Sequence, residues 1–89
     1  MNDHVTIERL LKPLANRRRL AILHLLHKRR EVGVGAIADS IKLSLTATSR
    51  HLSMLERAGF LEKEQRSLNV YYRLSKDAPS ILASVLALY

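Results

Sequence analysis

The side chains that carry usable chemistry in this chain are cationic, and they come in clusters. Arg17-Arg18-Arg19 and Lys28-Arg29-Arg30 are two basic runs, Arg50-His51 ends the hydroxyl-rich stretch Ser44-Leu45-Thr46-Ala47-Thr48-Ser49, and Arg66 lies close to Asn69. Guanidinium and ammonium groups bind phosphate oxygens, and a guanidinium can also pair with the O6 and N7 of guanine. The chemistry on offer is recognition of a polyanion. No nucleophile and base are paired, no H-E-x-x-H motif occurs, and three glycines make no phosphate-cradling loop, so neither an enzyme nor a cofactor is expected. His24 and His27 are three apart on one helix but have no acidic or third histidine neighbour. With no cysteine present, no metal site is expected.

Composition supports the same reading. The chain has 89 residues and a net charge of +7, with 47% hydrophobic and 26% charged residues, and a pI of about 10.4. That describes one small basic domain over residues 1–89, suited to DNA, RNA or an anionic surface. A domain of this size without disulfides is marginally stable, and packing against a second copy is the available remedy. The absence of cysteine suits a cytoplasmic location. Met1-Asn2-Asp3-His4 begins no leader-like segment, and no apolar run approaches the roughly 18 residues of a spanning helix, so export and membrane association are not expected.

The elements that must position the cationic groups are legible from periodicity. Ile7, Leu10, Leu11 and Leu14 predict a helix over 5–15 with an end made irregular by Pro13; Asn16 predicts the cap of a second helix that ends near Arg30. Glu31-Val32-Gly33-Val34-Gly35 reads as a short extended sheet edge, and Ala36 to Ile41 as a third helix stopped at Lys42-Leu43. Ser44 predicts the cap of a helix from Leu45 to Ala58, with Thr48, Leu52 and Leu55 on its inner side and Gly59 closing it. A hairpin follows, strands 60–66 and 70–74 around Ser67-Leu68-Asn69, of which Asn69 can tolerate positive φ. Of Tyr71 and Tyr72, one should pack on the core and the other stay partly exposed. A last helix carries Ile81, Leu82, Val85, Leu86 and Leu88, with Asp77 or Ser75 as its cap. Its lack of charge predicts that it and the first helix form a homodimer interface.

This order, α-α-β-α-α-β-β-α, is mainly α with a small β-wing, a winged helix-turn-helix. In that geometry the helix from Leu45 enters the major groove of duplex DNA and offers Thr46, Ala47, Ser49, Arg50 and Ser53 from the side opposite its leucines.

Leu11-Lys12-Pro13-Leu14-Ala15-Asn16-Arg17-Arg18-Arg19-Leu20 with Ile22-Leu23 resembles the opening of ArsR/SmtB-type repressors. Ser44 to Leu52 is similar to that family's recognition helix, Leu55 and Ala58-Gly59 to its ending, and Val70-Tyr71-Tyr72-Arg73-Leu74 to its wing strand. The resemblance covers roughly Leu10 to Leu74. It implies a dimeric repressor of palindromic operators with recognition helix and wing on each half-site, and it puts Ser44, Thr46, Ala47, Ser49, Arg50 and His51 on the DNA-reading segment. Two departures stand out. Leu45 replaces a residue commonly polar in the family, so base readout there is either lost or becomes a contact with a thymine methyl. Gly33 and Gly35 replace the thiolates of the family's Cys-x-Cys box, and 77–89 contains no histidine for its other metal site, so metal sensing is not expected.

Several residues admit two readings. Arg17 and Arg18 contact phosphate or form a solvated face or internal pair, with Arg19 the structural member because it adjoins Leu20. The 28–30 run caps its helix or contacts DNA. His51 contacts phosphate or packs against the ribbon. In the wing Arg66 reaches a groove or backbone together with Asn69, whereas Lys63 is solvated. The predicted function is a homodimeric, sequence-specific regulator of double-stranded DNA; the other reading is a winged-helix module for protein or RNA.

Overall fold

The computed structural model describes residues 3–89, so the Met1-Asn2 part of the expected leaderless start lies outside the described residues. Helix α1, His4–Leu11, begins where Asp3 accepts a hydrogen bond from the Thr6 amide at 2.8 Å. That bond holds the Asp3 carboxyl below its ordinary value. A single 3-10 turn, Lys12–Leu14, follows at Pro13 and is the irregular end expected of the first helix. Helix α2, Arg17–Arg29, starts at Asn16, whose Oδ1 accepts from the amides of Arg18 and Arg19 at 2.9 and 3.1 Å.

Strand β1 spans Glu31–Gly33 and helix α3 spans Val34–Ile41. Val34, expected in the extended piece, is instead the first residue of α3, because the strand's pairing with Tyr71, Tyr72 and Arg73 ends at Gly33. Lys42, at φ 56°, turns the chain sharply, and helix α4, Leu45–Arg57, begins at Ser44, whose Oγ accepts from the Ala47 amide at 3.1 Å. Gly59 follows with φ 87°, a conformation that costs glycine nothing and other residues about 1–2 kcal/mol.

Strands β2, Leu61–Arg66, and β3, Asn69–Leu74, form the wing, and β1 joins on the far side of β3 to give an antiparallel sheet of order β1-β3-β2. Arg66 pairs with Asn69, leaving a two-residue turn, Ser67-Leu68. Positive φ falls on Ser67, at 58°, while Asn69, the residue able to tolerate it, already belongs to the ladder. Helix α5, Ile81–Leu86, is also shorter than predicted and has no side-chain cap. Ser75 accepts from the amide of Asp77, so both predicted caps are engaged in their own turn, and the Leu82 amide donates to Pro79 O.

The core lies between α2, α3, α4 and the inner face of the sheet, where Ile22, Leu23, Ile37, Leu52, Leu55 and Phe60 are fully enclosed. Tyr72 is buried and Tyr71 half-exposed, the alternation a strand imposes. Helix α1 buries none of its residues: Val5, Ile7 and Leu11 are exposed, as are Leu88 and Tyr89 after α5. No described helix is long and apolar enough to cross a membrane.

Candidate nucleic-acid interface

Helix α4 sets the site. Thr48, Leu52 and Leu55 recur on one side and are buried, which fixes the opposite side towards solvent. Leu45, Thr46, Ser49, Arg50 and Met54 are exposed there, with Ser53 half-buried beside them, and together they line one shallow groove. No described residue forms an ion pair with Arg50. The surface therefore combines hydroxyls, a guanidinium without a carboxylate, and two apolar side chains.

The angle of α4 is held by two arginines of α2. Arg19 is buried, its Nε donating to Pro13 O at 2.6 Å and its Nη2 to Lys12 O at 3.2 Å, while Nη1 lies 3.2 Å from His51 Nδ1. The His51 ring is half-buried, with Arg19 of α2 as its neighbour. Burial, then the charges of Arg19 and Arg18, push its pKa below the ordinary 6.5. Arg18 donates from Nη1 to Ile41 O at 2.8 Å, satisfying a carbonyl at the end of α3 where Lys42 turns the chain. Its guanidinium is thus engaged internally, whereas Arg17 is exposed. The role of Arg18 in bracing the turn was invisible to sequence reasoning, since the partners are 23 positions apart.

The wing's outer face is an ion-pair network. Arg73 on β3 faces Glu31 on β1 and Glu62 on β2 across the ladder, with bonds of 3.3 and 3.2 Å, and its Nη1 also meets Glu64 at 3.3 Å. Arg66 pairs with Glu31 at 2.8 Å and Glu64 at 3.0 Å and lies 4.7 Å above the Tyr71 ring. A cationic tip expected to project freely is therefore tethered to two carboxylates, because register brings all these side chains to one face. Lys63, expected to be solvated, pairs with Glu56 of α4 at 3.6 Å. Asn69 and Leu68 stay exposed at the tip.

Lys28, Arg29 and Arg30 are exposed at the end of α2, where Arg30 takes φ 67°. His24 stacks on Tyr89 with centroids 3.9 Å apart, and no group of three His, Cys, Asp or Glu among the described residues could hold a metal ion. Gly33 ends β1 and Gly35 lies in the first turn of α3; neither supplies a donor, so the family's thiolate site does not fit this chain.

A helical pair joined by a tight turn, the second helix offering an uncompensated basic face and a two-stranded wing at its side, defines a winged helix-turn-helix DNA-binding domain. The model of the helix-turn-helix domain family matches residues 14–64. The transcriptional activator HlyU of Vibrio cholerae is 36% identical over 77 residues, which is 86% of this chain and 70% of that protein. Its solved structure superposes with a TM-score of 0.83 at 33% identity, covering 100% of this chain and 98% of that one. Nodulation protein NolR of Rhizobium meliloti is 40% identical over 68 residues, 76% of this chain and 55% of NolR. The homodimeric winged helix-turn-helix DNA-binding domain of a possible ArsR-family regulator from Mycobacterium bovis superposes with a TM-score of 0.75 at 38% identity, covering 92% and 72%. The chain belongs to the ArsR/SmtB-type family of transcriptional regulators.

Proposed function

We propose that this chain acts as a homodimeric repressor on a palindromic operator, occluding a promoter without a metal signal. The observation that carries the reading is the exposed face of α4, where Arg50 has no carboxylate partner among the described residues and Thr46, Ser49 and Ser53 surround it. Two such helices about 34–36 Å apart would meet successive major grooves. Ser44 and Ala47 sit at the start of that helix, and Arg17 and Asn69, both exposed, are the groups we assign to phosphate contact. Arg18, His51 and Arg66 contact DNA only with the part of each side chain their internal partners leave open.

The apolar outer sides of α1 and of the C-terminal segment support dimerisation, as does the homodimeric state of the M. bovis domain. The relatives are transcriptional regulators, which supports a cytoplasmic, non-enzymatic role.

The test is equilibrium binding to duplexes selected from genomic fragments. Affinity should fall steeply with salt through counterion release. Arg50→Ala should lower discrimination against random DNA by about 1–3 kcal/mol, while Lys63→Ala leaves it unchanged. Equal losses on selected and random duplexes for both variants would remove base reading from Arg50. A monomer without duplex affinity at low salt would support the protein- or RNA-binding module instead.

A further inference from the structure

Leu45 is the first residue of α4 and is 55% exposed, an apolar side chain placed at the end of the helix that reads DNA. It plays no part in the core, whose α4 contribution is Thr48, Leu52 and Leu55. It shares one groove surface with Thr46, Ser49, Arg50 and Met54, and Met54 is itself exposed. In the major groove the only apolar feature of a base edge is the C5-methyl of thymine, and the groove-entering end of a recognition helix is where base contacts concentrate.

We infer that Leu45 reads a thymine methyl in each half-site. The inference rests on the DNA-binding reading and names its ligand. The apolar side chain meets an apolar partner only when that methyl is present, so the contact contributes specificity and not merely affinity. Arg57, on the same groove, holds the helix against the phosphates while Leu45 reaches the base edge.

A random duplex library is first selected on the wild-type chain. In the recovered site each thymine of a half-site is then replaced singly by deoxyuridine, which removes the methyl and leaves every hydrogen-bonding group. One position should weaken wild-type binding about fourfold, the weight of one buried methyl. At that position Leu45→Ala should bind the two duplexes equally, and Leu45→Gln should prefer adenine to thymine. The inference is overturned if no deoxyuridine position weakens the wild-type complex, or if the loss persists in Leu45→Ala. Failure of the library to yield any preferred duplex overturns the DNA-reading function itself, a different outcome from a preferred duplex indifferent to deoxyuridine.

Discussion

Arg19 Nη1 lies 3.2 Å from His51 Nδ1, and this contact joins the first turn of α2 to the recognition helix. A guanidinium has donors only, so His51 Nδ1 must accept and the ring proton sits on Nε2. The same guanidinium holds the carbonyls of Pro13 and Lys12. One buried cation thus ties α4 to the segment that connects the outlying α1 to the core, and the neutral imidazole is the form that fits.

Protonating His51 places two cations in contact, so stability depends on pH here. Its folded pKa is depressed below the ordinary 6.5 by burial and by Arg19 and Arg18. Between those two values the unfolded chain binds more protons than the folded one, and stability therefore rises with pH in that window and is lost as pH falls through it. Urea midpoints at pH 7.5 and 5.5 should differ more for the wild type than for His51→Gln. The wing carboxylates act in a separate, more acidic window. Glu62, held by the Lys76 amide, and Glu64, held by Arg66, lie below their ordinary 4.5 and lose their contribution below that pH. Equal pH dependence in wild type and variant would show that His51 is not the titrating group.

Neighbouring arginines should separate by function. Arg19→Met removes charged donors from two backbone carbonyls and should cost about 2–3 kcal/mol in unfolding free energy. Arg17 is exposed, so Arg17→Ala should change stability by less than about 0.5 kcal/mol. In DNA titrations the same substitution should reduce the salt slope by about one. Chemical denaturation read beside the salt series distinguishes the two; an unstable Arg17→Ala or an unchanged slope would reverse the assignment.

Thr48 Oγ1 is the buried side-chain polar atom without a partner among the described residues. Its hydroxyl was desolvated on folding with nothing gained in return. Thr48→Val keeps the branched shape and should stabilise the fold by about 1 kcal/mol, with DNA affinity unaltered because the side chain faces inward. A lower urea midpoint would mean that the hydroxyl is satisfied in solution.

The wing network sets how freely Arg66 can meet a phosphate. Glu31→Gln withdraws one of its two carboxylates and should raise duplex affinity about two- to fivefold at low salt, the scale of an exposed ion pair. Combining it with Arg66→Ala should abolish the gain. Fluorescence anisotropy on the four members of this cycle measures the coupling, and a gain that survives Arg66→Ala would point to simple removal of negative charge.

What was legible in the sequence is what local chemistry decides. Asn16, Ser44 and Gly59 punctuate α2 and α4 because a cap depends on amides two or three residues away. The alternation of Tyr71 and Tyr72 is equally local. Distant partnerships were not readable: Arg66 meets Glu31 across 35 positions, and only the register of β1 and β2 on β3 reveals that three glutamates share its face. The start of α5 was misplaced for a related reason. Its first bond runs to a backbone carbonyl of Pro79, which leaves no side-chain signature, while Ser75 and Asp77 formed a turn of their own.

The outward sides of α1 and the C-terminal segment bear the last prediction. Ile7 is exposed on a helix that buries none of its residues, alongside Val5 and Leu11. Burying an isoleucine is worth about 1.5–3 kcal/mol, and a two-fold interface counts each residue twice. Ile7→Glu should therefore raise the dimer dissociation constant at least about a hundredfold, while a monomer's circular dichroism stays helical because the core does not include that side chain. Sedimentation velocity measures the first effect. On DNA, affinity for a duplex with two half-sites should drop towards that for one half-site, and half-site affinity should hold. A variant that stays dimeric at micromolar concentration would place the interface elsewhere, and one that loses half-site binding as well would show that α1 supports the recognition helix directly.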